Sequence, residues 1–196
     1  MKNSLRGQKE LDLTGRNSRP VLFITDNMIE EINQDIRNKR HPRFVSWKQV
    51  KQDADSALGR TRAIYFDRNS TEYRFSAIPS GLDARNLALV YRVTGELTYL
   101  EKAKEILLRF ASAKPAPGTD ETLWYADNGA DNGPGVGLNI ALTIPSFAEA
   151  FALVFHEWNH YERMLIKTWF YKLAGVIRRG HERWMENDYF EQQEGN

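Results

Sequence analysis

The stretch SGLDARNLALVYRVTGELTYLEKAKEILLRF, Ser80 to Phe110, decides the fold class. Its first half sets Leu87, Ala88, Leu89 and Val90 in succession, an apolar run that suits a helix covered on nearly all sides. Ser80 and Asp83 have the spacing of an N-terminal capping pair, so a helix is expected to begin there. Gly95 ends it, because glycine accepts the left-handed backbone that closes a helix. Leu97 or Thr98 opens the next. Leu100, Ala103, Ile106, Leu107 and Phe110 then recur at steps of three and four, one apolar helix face.

The same spacing extends in both directions. Thr25 or Asp26 caps a helix with Ile29, Ile32 and Ile36 on one side, and His41-Pro42-Arg43 breaks it. Trp47, Val50, Ala54 and Leu58 mark a second helix from about Ser46. Tyr65 to Pro79 shows no period and reads as irregular. Past a Pro/Gly/Asp-rich stretch from Lys114 to Gly137, a helix is expected over Leu138–Phe155, starting or kinking at Pro145. Another is expected from Asn159 to Asn187, with Leu165, Trp169, Leu173, Val176 and Trp184 inward. No period-2 strand follows residue 25, although Val21-Leu22-Phe23-Ile24 is short and apolar enough for one strand or an extended anchor. The class is all-α, built from antiparallel helix pairs, with residues 1–19 a loosely ordered tail and 20–196 one helical domain.

Composition narrows the function. The 196 residues carry 27 Lys and Arg against 26 Asp and Glu, which gives no bulk reason to expect nucleic acid. Residues 1–70 nevertheless hold a net of +5, from 14 basic and 9 acidic side chains, a mild bias toward an anionic partner. The chain has no cysteine, which excludes disulfides, thiol nucleophiles and cysteine zinc sites and leaves the compartment open. No export signal is visible at the N-terminus, and the most apolar stretch, Gly137–Phe155, carries Asn139, Pro145 and Glu149, so no membrane span is expected. No Gly-rich phosphate loop and no nucleophile elbow occur, and no cofactor is implied.

Four groups of residues carry candidate chemistry. His156-Glu157-Trp158-Asn159-His160 fits the pattern in which two imidazoles one helical turn apart hold zinc and the Glu acts as base, with Glu182 or Glu186 as third ligand. Against it, Asn159 with Glu162 reads as a capping box starting a new helix, which sets His156 and His160 on either side of a turn. Metal is therefore disfavoured, and a zinc peptidase stands as an alternative only. Asp127-Asn128-Gly129 and Asp131-Asn132-Gly133 contain calcium-type ligands, but the twelve-residue loop pattern is missing and such steps are ordinary turn chemistry. In the same unpatterned stretch, Trp124 and Tyr125 beside Asn128 and Asn132 have what a sugar subsite needs, flat apolar faces plus amide hydrogen bonds. Loops of that length usually serve binding, although Trp124 serves equally well as a core anchor. Finally Arg60, Arg62, Arg68 and Arg74 surround Tyr65, Phe66 and Tyr73, an interleaving that suits a polyanion or a solvated helix end.

Four passages in order resemble the alginate-lyase superfamily of polysaccharide lyases. Arg19–Thr25 with His41–Phe44 resembles the opening of those catalytic domains. Tyr91-Arg92-Val93-Thr94-Gly95 with Tyr99-Leu100-Glu101-Lys102-Ala103 resembles their "Y-r-l-T-G…Y…K-A" helix pair. Gly137-Leu138-Asn139 through Pro145–Phe151 resembles the "G-L-n…F-a-x-A-y-d" helix, with Ala152 where the family has Asp. Glu162-Arg163 through Trp169-Phe170 resembles the "E-R…W-f" helix. The resemblance implies an (α/α) toroid with a long cleft for an acidic uronate polysaccharide such as alginate, cleaved by β-elimination. There an Asn, Gln or Arg neutralises the carboxylate, a His or Tyr takes the proton and a Tyr protonates the leaving oxygen. Only Asn196 falls near the family's catalytic Asn, and the His and Tyr that follow it are not in this chain. The resemblance covers the family's N-terminal half, so an incomplete toroid is expected, either a truncated relative or a fragment. Its lyase activity is expected to be weak or absent. A non-catalytic carbohydrate-binding or interaction module is the alternative. Relatives are usually exported. An incomplete toroid leaves helix faces that a second copy of the chain would cover.

Overall fold

The computed structural model describes residues 24–65, 70–113 and 134–186, and every described element is helical. In order these are α1 (Asp26–Arg37), α2 (Arg43–Leu58), α3 (Ser70–Thr94), α4 (Leu97–Ala111), α5 (Pro134–Ala141), α6 (Ile144–Leu153), a 3-10 turn (Phe155–Glu157) and α7 (His160–Glu186). The chain is all-α, with no strand among the described residues. Of the early apolar run only Ile24 is described, and the tail lies outside the described residues.

Local chemistry sets several of these boundaries. Thr25 caps α1, its hydroxyl accepting from the Met28 amide at 3.2 Å. Gly95 turns the chain from α3 to α4 at φ +75°, a conformation glycine adopts without steric cost. The expected break at Ser80 is absent. α3 begins ten residues earlier and runs through Pro79, and Ser80 turns its hydroxyl back onto the Ser76 carbonyl at 2.7 Å. Asp83, the other half of the expected cap, instead binds Arg60 and Arg62. Tertiary packing outweighs the proline here, since Tyr73 and Ala77 before it and Ala84 and Leu87 after it are all fully buried. The helix expected over Leu138–Phe155 is two, α5 and α6, parted at Leu142–Thr143, where the Thr143 hydroxyl donates to the Ile140 carbonyl. On α7, Ile166 takes the buried place expected for Leu165, beside Trp169, Leu173 and Val176. The Trp184 side chain lies outside the described residues.

Helix directions follow from the contacts. α3 and α4 form an antiparallel hairpin around Gly95, with Tyr73 near the start of one against Phe110 near the end of the other. α5 and α6 together run back along α7 as a second, Gly137 of α5 lying against Gly180, Phe147 meeting Trp169, and Phe155, beyond the end of α6, meeting Arg163. Between the hairpins like runs with like. From Gly81 through Arg85 to Arg92, α3 meets Phe147, Glu149 and Leu153 in rising order, so α3 and α6 are parallel. Lys104 and Phe110 meet Glu162 and Trp169, so α4 and α7 are parallel too.

The core lies where these four helices meet. Phe147 sits 4.8 Å from the Phe110 ring and 5.1 Å from Trp169, which stacks on Phe170 at 4.9 Å. Two glycines allow the close approaches. A Cβ on Gly81 would lie 3.1 Å from the Phe147 ring, and one on Gly137 would lie 3.3 Å from the Gly180 Cα. α5 is tied to the start of α3 by buried Asn139, whose amide donates to the Ser70 and Thr71 hydroxyls at 3.0 and 3.1 Å.

Candidate functional site

The expected sugar subsite, Trp124, Tyr125, Asn128 and Asn132, and the expected carboxylate neutraliser Asn196 all lie outside the described residues. So do the remaining residues of the doubled Asp-Asn-Gly steps.

The His156–His160 stretch is described. It is not one helix: His156 sits in the 3-10 turn, Trp158 is extended at ψ 131° and His160 opens α7. The capping box is in place. Asn159 Oδ1 accepts from the Glu162 amide at 2.9 Å, and Glu162 Oε2 accepts from the Asn159 amide at 3.0 Å. The stacking of two imidazoles on one helical face, which the zinc pattern needs, is therefore lacking. Among the described residues no three His, Asp or Glu converge as metal ligands. Asn159→Ala is expected to cost about 1 kcal/mol, the usual loss of a cap, seen as a melting point lower by about 2–4 °C. An unchanged melting point would remove the box as what starts α7.

The same turn builds a cleft. Tyr91, Arg92 and Gly95 from the end of α3 face Leu153, Val154, His156 and Glu157 around about 210 Å³. The Tyr91 hydroxyl donates to Glu157 Oε1 at 2.8 Å. Burial, and then this bond to a carboxylate, push the Tyr91 phenol up, so it stays a donor at neutral pH. Arg92 is committed to structure: one Nη donates to the Leu153 carbonyl at the end of α6, the other to Asp26 at 2.7 Å. The cleft thus offers an imidazole and a carboxylate–phenol pair to a polar ligand, while its guanidinium is already held. Sequence reading misses it, because Tyr91 enters there only in the family-like passage and Glu157 only in the zinc pattern, 66 residues away.

The basic cluster is largely neutralised. Arg60 and Arg62 share Asp83 at 3.0 and 2.7 Å, and Arg109 donates to the Arg62 carbonyl. Tyr73 is core, and Arg74 lies 5.2 Å from the exposed Phe75 ring. Arg68 and Phe66 lie outside the described residues. The interleaved track therefore does not assemble among the described residues.

One further polar group joins α2 to α4. Lys51 and the Tyr99 hydroxyl both donate to Asp55, at 2.7 and 2.5 Å. Lys51, then Tyr99, hold the Asp55 carboxyl below its ordinary range, while Asp55 raises both Lys51 and Tyr99. A lowered carboxylate stabilises the fold above its unfolded pKa of about 4, and loses that contribution as pH falls through its lower folded value. The raised lysine and phenol contribute below about pH 10 and lose this as pH rises through their folded values. The gap in melting temperature between the parent and Asp55→Asn is expected to be open at pH 7 and to close as pH falls below about 4. A gap that does not narrow at all as pH is lowered below about 4 would contradict the assignment.

No protein-family model, no curated protein and no solved structure matches the chain. No helix among the described residues is long and apolar enough to cross a membrane.

Proposed function

We propose that the chain is an alginate-lyase-like helical domain, an incomplete (α/α) toroid, that binds an acidic uronate polysaccharide, with β-elimination as its reaction where turnover occurs. One observation carries the reading. The α3–α4 hairpin stacks on the hairpin that the α5–α6 arm makes with α7, with α3 parallel to α6 and α4 parallel to α7, the relation that successive hairpins have in such a toroid. The passages that resemble the superfamily supply much of that stack. Gly95 makes the first turn, Tyr99, Leu100 and Ala103 bury the α4 face, Phe147 and Phe151 line α6, and Trp169-Phe170 close onto them. Trp124, Tyr125, Asn128 and Asn132 remain the proposed sugar contacts within the segment that joins the hairpins.

Electrophoresis through gels containing alginate or a neutral glucan, with absorbance of the unsaturated uronate followed in parallel, tests the proposal. Migration slowed by alginate alone is expected, and any product should be unsaturated. Equal mobility in both gels with no product would overturn the reading.

A further inference from the structure

We infer that the exposed face of α7 is a binding track for an anionic polysaccharide, an inference that rests on the function proposed above. Tyr161 and Tyr171 are 73% and 74% exposed, and Met164 between them is 50% exposed. At about 100° per residue these three and Thr168 fall on one side of the helix. The two tyrosines stand roughly 15 Å apart along its axis, at about 1.5 Å per residue. Met164, Lys167, Thr168 and Tyr171 surround a hollow of about 160 Å³. Large apolar side chains aligned on a surface mark a contact face more often than scattered ones do.

Charge identifies the occupant. α7 carries six Lys and Arg against three Glu, a net of +3, in a chain whose total is +1. Glu162 is already held by Lys104 at 2.9 Å, and Glu182 faces Arg178 at 3.7 Å. Among the described residues no carboxylate pairs with Lys167, whose ammonium lies 5.9 Å from the Phe155 ring. A tyrosine offers a flat apolar face to a pyranose ring and a hydroxyl to its oxygens. The neighbouring ammonium supplies a charge-assisted bond to each carboxylate within reach. A second copy docking by the same face would bring two positively charged helices together, which like-charge repulsion opposes. A nucleic acid would share the charge but would need its bases stacked on the tyrosines, and single-stranded DNA is therefore one arm of the test.

Titration of the full chain with a uronate oligomer, a neutral glucan oligomer and single-stranded DNA tests this. The variants are Tyr161→Ala with Tyr171→Ala, Lys167→Glu, and Lys48→Ala on α2 as a remote control. The double tyrosine variant is expected to bind the uronate oligomer about tenfold more weakly, and Lys167→Glu severalfold more weakly. Lys48→Ala should bind like the parent, and all should melt as the parent does. A parent that ignores the uronate oligomer defeats the functional reading itself. A parent that binds it, with α7 variants that bind equally well, overturns the track alone and moves the contact elsewhere. Tighter binding of DNA lost in the same variants, or self-association lost in them, would replace the occupant and overturn the inference.

Discussion

Phe147→Ala is expected to lower the melting temperature by roughly 6–20 °C, as follows from the loss of a buried ring in a domain of this size. The ring has no exposed surface and lies at the meeting point of α3, α4, α6 and α7, against Phe110, Trp169 and the backbone of Gly81. Truncating a buried phenylalanine costs about 3–5 kcal/mol, the transfer of the ring plus the void it leaves. Each kcal/mol then moves the melting point by about 2–4 °C. The void cannot fill cheaply, because the wall contributed by α3 is a glycine with no side chain to turn inward. Thermal unfolding followed by circular dichroism measures the shift. A loss under about 1 kcal/mol would mean that the two hairpins do not meet at Phe147.

Gly137→Val is expected to destabilise by about 1–3 kcal/mol or more, the penalty for forcing atoms into a packed contact. The new Cβ would meet the Gly180 Cα at 3.3 Å and the Ile177 carbonyl oxygen at 3.4 Å, and backbone atoms cannot rotate away. α5 would then lift from α7 and strain the Asn139 bonds to Ser70 and Thr71. Gly81→Ala also meets a tight contact, the buried Phe147 ring at 3.1 Å and the Ser146 Cβ at 3.2 Å, and a gain of about 1 kcal/mol of helix propensity offsets part of that cost. Gly175→Ala meets only the end of the Arg179 side chain at 3.5 Å, so there propensity alone should act and stabilise. Urea midpoints should therefore fall in the order Gly175→Ala, parent, Gly137→Val. A Gly137→Val midpoint at or above the parent's would rule out the close crossing of α5 and α7.

Elements with their own caps and period are legible in the sequence. Thr25 and the α4 stripe from Leu100 to Phe110 behave as their spacing says, and Asn159 with Glu162 decides how the His156 stretch folds. The start of α3 is not legible. Pro79 and three serines argue locally for a break, and only burial against neighbours distant in the chain outweighs that local preference. The parting of α5 from α6 is hidden for the opposite reason: a segment apolar on all sides has no period to interrupt. The α3–α6 cleft is legible only in halves, since Tyr91 and Glu157 are 66 residues apart.

That separation also sets an order of events at the ribosome. α4 ends at residue 111, while the helices that cover α3 and α4 from the other side end at residue 186, 75 residues later. At synthesis rates of about 5–20 residues per second, the first hairpin waits roughly 4–15 s for its cover. Phe147 follows the end of α4 by 36 residues, so for roughly 2–7 s of that interval the side of α3 around Gly81 and the ring of Phe110 face water or a chaperone in its place. The small residues Ala77, Gly81 and Ala84 keep the uncovered apolar area of that side of α3 modest, while the Phe110 ring stays without its Phe147 cover until α6 emerges.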